Sequence, residues 1–280
     1  MTAEEHLRAG RLSDCLQALQ ESIRGNASDS KLRVFLFQLL CVMGQWERAL
    51  TQLQVLASLG PETLMMARVF EPVLQCEMFR ARVFAGQHTP LIFGEPQEWM
   101  GQLIQANEMA AKGQSGVAQE LRDKAFEAAP AIAGTITRHA KPADSVGGKP
   151  GEPVAEPFEW IADADVRLGP MLEAVVEGHY YWVPFSRIKS IHLEPPSDLR
   201  DLVWSPVQFV WTNGGEASGH ISTRYPGTDQ SSDDQLRLAR KTDWVERDGF
   251  TAGLGQRLFA TDAGEYPLLA CRTITLMAVP

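Results

Sequence analysis

Apolar residues in the first 130 or so positions recur at steps of three and four, as in Leu32, Phe35, Leu36, Leu39, Leu40 and Met43. That spacing predicts helices, and its density predicts helices covered on more than one side. Residues 2–130 read as helical throughout. From Phe158 the pattern shortens and changes period. Tyr180 to Phe185 and Ile188 to Leu193 predict strands, with Arg187 in the turn between them. Val207 to Thr212, Asn213-Gly214-Gly215 and Ala217 to Thr223 predict a hairpin, because Asn-Gly supplies the positive φ angles of a tight turn. Leu258 to Thr261 and Leu269 to Met277 predict further strands. A short helix is predicted from Gly169-Pro170 through Val176, stopped by Gly178, and a polar one over Asp233 to Arg240. Between the two regimes, residues 135–157 are rich in Pro, Gly, Ala and charge and have no period, which reads as a linker with a mobile centre at Ser145 to Pro153. The predicted class is α+β: an all-helical domain over 1–134, a linker over 135–157, and a mixed domain with a mainly antiparallel sheet over 158–280.

The helical half carries an internal repeat. Gly44 is followed at fixed offsets by Ala49, Leu53, Leu56 and Pro61, and Gly113 by Ala118, Arg122, Ala125 and Pro130. Gly10, Cys15, Leu19, Ser22 and Ala27 form a worn copy. The spacing resembles a divergent tetratricopeptide repeat, a pair of antiparallel helices in which Gly permits the turn, a small residue permits close approach and Pro stops the second helix. The stretch Leu64 to Gly86 does not fit the pattern. Such arrays stack into solenoids that hold peptides or helices. Phe79, Arg82, Phe84 and Trp99 are the residues singled out as candidates to line a partner groove.

Composition narrows the class. The 280 residues carry a net charge of −9, with 44% apolar and 22% charged residues. The balance is that of a globular protein and speaks against nucleic acid or a membrane surface as partner. Cys15, Cys41, Cys76 and Cys271 are far apart and form no CxxC pair, which predicts free thiols in a reducing, cytoplasmic setting. The N-terminus has no signal-type apolar core and no run reaches membrane-spanning length.

Chemistry is sparse. Asp163 and Asp165 are two apart and could act as a carboxylate pair, but no DxDxDG loop follows, so turn-capping and pairing with Arg167 is the favoured role. His179, His192 and His220 fall on or beside strands without the spacing of a zinc site. Ser186 and Ser205 lack a GxSxG context. Gly253-Leu254-Gly255 is read as a tight turn before the strand at Leu258, not as a phosphate loop. Arg237, Arg240 and Lys241 follow Asp233 and Asp234 closely, as on an exposed helix face. The aromatics between Phe158 and Gly227 are read mostly as packing. No catalytic residue, cofactor or metal is assigned.

The runs FEWIADADVRLGPMLEAVVEGHYYWVPFSRI, DLRDLVWSPVQFVWTNGGE, TRYPGT, LARKTDW and GLGQRLFATDAGEYPLL, in this order from Phe158 to about Thr275, resemble the ImpE family, accessory proteins of bacterial type VI secretion also called TagJ. The resemblance implies an adaptor and not an enzyme. It implies binding to a helix of the small sheath subunit TssB and a link, direct or through the sheath, to the AAA+ ATPase ClpV. The alternatives are a hydrolase built on Asp163, Asp165 and His179, or a generic repeat co-chaperone.

Overall fold

A computed structural model describes residues 1–139, 153–247 and 249–278. The expected class holds: helices fill the N-terminal half and a mainly antiparallel sheet the C-terminal half. The helices are α1 (Ala3–Arg8), α2 (Leu12–Gly25), α3 (Ser30–Val42), α4 (Trp46–Ala57), α5 (Pro61–Phe84), α6 (Glu98–Ala111) and α7 (Ser115–Ala128). The repeat glycines mark three helix–turn–helix junctions, after α1, α3 and α6. Gly10, Gly44 and Gly113 adopt φ of 69°, 69° and 73°, the left-handed region in which a helix ends and which only Gly enters without cost. Five residues on, Cys15, Ala49 and Ala118 are buried, as close helix approach requires. The unmatched stretch is explained by α5, one 24-residue helix with Pro72 inside it.

The helical half is not uninterrupted. Leu91 and Ile92 form β1, which pairs in parallel with β6 (His179–Pro184) through Leu91↔Tyr181 and Ile92↔Trp182. The remaining strands of the main sheet are β2 (Gly134–His139), β3 (Pro153–Phe158), β5 (Met171–Val176), β7 (Ile188–Leu193), β8 (Trp204–Trp211), β9 (Glu216–Ser222) and β14 (Cys271–Leu276). Their order is β1-β6-β5-β9-β8-β7-β14-β2-β3. Both ends of the expected linker 135–157 are therefore strands, paired from Gly134↔Phe158 to His139↔Pro153. The β-branched run Thr135-Ile136-Thr137 favours a strand, and β3 tolerates Pro153 and Pro157 because it lies at the sheet edge. Apart from Pro153, the expected mobile centre lies outside the described residues.

The predicted helix ending at Val176 is instead the strand β5, buried at all six positions. Leu172, Ala174 and Val176 face one core and Met171 and Val175 the other, so a strand covered on both faces loses the alternation that would reveal it. Gly178 does not stop a helix; it closes the β5–β6 hairpin. Val176 pairs with His179, and Glu177 and Gly178 between them have φ of 51° and 76°, the double positive φ of a type I′ turn. Glu is costly there. Glu177→Asn is expected to stabilise the protein by about 0.5–1 kcal/mol, read as a rise in urea midpoint at unchanged slope.

The β8–β9 hairpin forms as expected, with a different turn. Gly214 takes φ of 86° while Asn213 stays at negative φ. Asn213 accepts the Gly215 N–H through Oδ1 at 2.9 Å, and Trp211 N–H closes the loop on the Gly215 carbonyl at 2.8 Å.

A second layer covers the far face of the sheet. Short strands β4 (Ile161–Asp163), β12 (Leu258–Thr261) and β13 (Gly264–Pro267) form a three-stranded sheet whose Ile161, Phe259 and Tyr266 join one core with Leu172, Val183 and Phe209. The near face packs on the helices, so that Met171, Tyr180, Trp182 and Trp204 share one cluster with Phe37, Leu39, Phe70 and Trp99. The hairpin β10 (Thr242–Arg247) and β11 (Phe250–Gly255) stands apart as a two-stranded unit. The polar helix is a single turn, α8 (Asp234–Arg237), capped by Asp233.

Candidate functional site

The densest polar chemistry lies beneath α5, in the seam between the helices and the sheet, and is sealed from water. Glu173 sits mid-strand in β5 at 0% exposure. Arg80 of α5 grips it with both arms, Nε to Oε1 at 2.6 Å and Nη2 to Oε2 at 2.8 Å. The Tyr180 hydroxyl and Arg257 donate to the same carboxylate, and Trp182 Nε1 donates to the Tyr180 oxygen at 2.9 Å. Arg257 spans Glu173 and Asp163 and also donates to the Ser222 carbonyl at 2.8 Å. Arg80 further reaches Glu77 at 2.9 Å, and the other oxygen of Glu77 accepts from Trp204 Nε1 at 2.9 Å. These groups come from α5, β4, β5, β6, β8, β9 and the strand–turn after β11, so the network ties three layers together.

Its charges are ordered by which partner each carboxyl has. Burial pushes the Glu173 carboxyl up, but Arg80 and Arg257 beside it outweigh that and hold it at about 2. Asp163 has Arg257 alone among the cations, and burial raises it to about 7. One guanidinium between two carboxyls cannot fully compensate both.

The candidate residues fall into this frame unevenly. Asp163 and Asp165 are buried at 3% and 0% exposure. Asp163 accepts the Asp165 N–H at 2.9 Å, a local turn bond. Asp165 pairs with Arg167 at 2.9 and 2.6 Å and accepts the Gly253 N–H at 2.9 Å. The favoured reading of this pair as turn-ordering and Arg167-binding agrees with that geometry. His179 is exposed at the β5–β6 turn, whereas Asp163 N–H bonds Gly169 near the opposite end of β5. A six-residue strand separates them by roughly 17 Å, so the structure does not bring together Asp163, Asp165 and His179. His220 is packed edge-on against Phe70 at 5.4 Å, and His192 contacts Ser190 at 3.1 Å. Among the described residues no three His, Cys, Asp or Glu side chains cluster as metal ligands, and no helix is long and apolar enough to cross a membrane. All four cysteines are free and buried.

Phe79, Arg82, Phe84 and Trp99 do not share a surface. Trp99 is 4% exposed and belongs to the core, its Nε1 donating to Gln97 at 2.7 Å. Phe79 stands edge-on to Tyr180 at 6.1 Å. Phe84 lies on Trp182 at 5.8 Å, with the Arg167 guanidinium over its ring at 5.0 Å. Of the four only Arg82 is exposed. The aromatics face inward because α5 is covered by the sheet, which its helical period does not reveal. Gly253 also has a different task from a turn: it lies within β11, where a Cβ would run into the Tyr225 ring; Gly255, at φ of 85°, makes the turn.

An open groove of about 930 Å³ runs beside the network, between α5 and the sheet. Val69, Pro72 and Val73 form its helical wall, and Val175 and Val207 are on the sheet side, with His192 and His220. Met65 and Val69 stand 59% and 48% exposed on α5, one turn apart. A smaller hollow of about 370 Å³, with Phe126, Trp160 and Ile161 among its lining, lies near β4. Sequence reasoning missed Arg80, Glu173 and Arg257. The available signal was a single charge inside an apolar run, as with Glu173 in Met171-Leu172-Glu173-Ala174-Val175-Val176.

The comparisons agree with the resemblance seen in the sequence. The family model described as ImpE protein matches residues 155–275. The type VI secretion system accessory component TagJ of Pseudomonas aeruginosa PAO1 is 48% identical over 276 residues, covering 98% of this chain and 90% of that protein. The crystal structure of protein VPA1032 from Vibrio parahaemolyticus superposes with a TM-score of 0.81 at 25% identity, covering 99% of this chain and 98% of that one. An identity of this level, over an alignment that spans both the helical and the sheet half, places the chain in the ImpE/TagJ family of type VI secretion accessory proteins.

Proposed function

We propose that the chain is a non-enzymatic adaptor in the cytoplasm that captures an amphipathic helix of the small sheath subunit TssB and is thereby linked to ClpV-driven disassembly of the sheath. The groove between α5 and the sheet is the observation that carries this reading. At its helical wall the exposed Val69, with Met65 one turn before it, offers unpartnered apolar surface above the buried Val73 and Val175. A helix laid in such a groove buries residues at i, i+3, i+4 and i+7, and a few anchors carry the affinity. The absence of enzymatic activity is supported by the carboxylates that could act as acids or bases, Asp163, Asp165 and Glu173. Each is held by a guanidinium and sealed from solvent.

Titration of the chain with the isolated N-terminal helix of TssB by calorimetry is expected to give saturable binding. Val69→Glu places a charge against the incoming apolar face and is expected to weaken it at least about tenfold, or 1.4 kcal/mol. Val69 is half exposed in the free chain, so its replacement leaves the fold intact. Absence of binding by the unaltered chain at about 100 μM, weaker than −5.5 kcal/mol, would sink the reading. Unchanged affinity in Val69→Glu would move the site elsewhere.

A further inference from the structure

Residues 228–241 cross from the sheet over the turn ends of the first two helical hairpins, and there they complete helix termini that the array leaves open. The first turn of α2 has no side-chain cap at Arg11. Asp234 supplies one from 222 positions away, accepting the Leu12 N–H at 2.9 Å. The last carbonyls of α1, on Leu7 and Arg8, accept from the Arg240 guanidinium at 3.2 and 3.3 Å. The last carbonyls of α3, on Cys41 and Val42, accept from the buried Arg224 at 3.3 and 2.7 Å, and Arg224 also donates to the Arg237 carbonyl at 2.6 Å. Leu7 and Cys41 also accept from the N–H groups of Gly10 and Gly44 at 3.0 and 3.1 Å, whereas the Leu12 N–H and the Arg8 and Val42 carbonyls, costly if covered and unpaired, take their partners from the C-terminal half.

The repeat glycines have a second constraint at the same place. A Cβ on Gly10 would run into the Gln235 side chain, and one on Gly44 into Asp229. Gly113, the third member of the repeat, faces nothing within 4 Å. The first two turns are thus shaped for the crossing segment as well as for the helix end.

The segment itself is anchored. Leu236 and Leu238 are 4% and 1% exposed, and Leu238 lies in the same cluster as Leu12, Leu19 and Leu40. Between them and Arg240, Ala239 is held at φ of 52°, a region unfavourable to residues with a Cβ. Its carbonyl accepts from Gln256 at 2.6 Å. Strain of this kind persists only where surrounding contacts over-determine it.

We infer that residues 228–241 are a strap that holds the hairpins α1–α2 and α3–α4 at a fixed spacing, so that the helical half is a preset array clamped by the C-terminal half. In an autonomous repeat array each unit is stabilised by its neighbours alone. Here α1 is six residues long, too short to persist by itself.

The test is hydrogen exchange by mass spectrometry on the full chain, comparing Asp234→Ala, Arg240→Ala and the double variant. Arg240 is exposed, so its replacement alone leaves a folded protein. The expected result is amide exchange in α1 and the first turn of α2 at least about tenfold faster in the double variant, with smaller rises in each single variant. Amides of β5 and β8 should be unchanged, which is local opening. Exchange in α1–α2 within twofold of the unaltered chain overturns the strap. A rise of equal size in the helices and the sheet overturns it also, because the contacts would then serve global stability. The readout involves no partner, so it is independent of helix capture.

Discussion

Glu173→Gln is expected to cost about 3–5 kcal/mol of folding stability at neutral pH. The substitution keeps shape and volume and removes one charge. Arg80 and Arg257, at 4% and 0% exposure, would then share no anion between them. Neither can lose its proton, and neither can reach water without parting α5 from the sheet. Arg80 would keep Glu77 and the Arg224 carbonyl, and Arg257 would keep Asp163 and the Ser222 carbonyl, which places the loss within that range and not above it. Urea denaturation followed by far-ultraviolet circular dichroism measures it. A loss under 1 kcal/mol would mean that the network is wetter than the geometry says.

The same residue sets a pH dependence of definite sign. The Glu173 carboxyl sits at about 2 in the folded chain and near 4.3 unfolded, so its stabilisation is complete above about pH 4.3 and is lost as pH falls through 4 towards 2. The difference in stability between the unaltered chain and Glu173→Gln should therefore shrink across that window. Asp163 has the opposite sign. Its carboxyl is raised to about 7 by burial, so its ionisation opposes folding increasingly as pH rises from about 4 to 7.

Trp204→Ala is expected to cost about 3–5 kcal/mol, with a cavity left at the helix–sheet seam. Trp204 is 1% exposed, lies 6.0 Å from Trp46 and 6.3 Å from Phe70 between ring centroids, and donates to Glu77 at 2.9 Å. Truncation removes a side chain of β8 that touches both α4 and α5. It also leaves Glu77 without a donor on one oxygen. Because helices and sheet share one cluster, thermal unfolding should remain a single transition at lower temperature, with calorimetric and van't Hoff enthalpies in agreement. Two separated transitions would show that the halves unfold independently.

Much of the secondary structure was legible because local rules agreed with the global fold. The turns at Gly10, Gly44 and Gly113, the hairpin at Asn213-Gly214 and the strands Tyr180–Phe185 and Ile188–Leu193 all rest on positions where one residue type has a conformational reason to be there. The misread elements have separate causes. Strand β5 is covered on both faces, so its six residues show no alternation. Strands β2 and β3 pair with each other across a Pro- and Gly-rich stretch, and β2 finds its second partner, β14, far along the chain. The candidate aromatics on α5 and α6 read as groove-lining because a helix covered by a sheet has the same period as one with an open face.

By itself the sequence determined the fold class, the repeat of helix–turn–helix units and the family, since long ordered runs of specific residues carry that information without reference to space. It also singled out no catalytic constellation. Only the tertiary structure decided where charge is buried and which surface is open. Arg80 and Glu173 stand 93 positions apart and Asp163 and Arg257 stand 94 apart, and Asp234 caps a helix from 222 positions away. Their meaning lies in Coulomb energy and desolvation, which depend on distance and burial and are invisible to spacing along the chain.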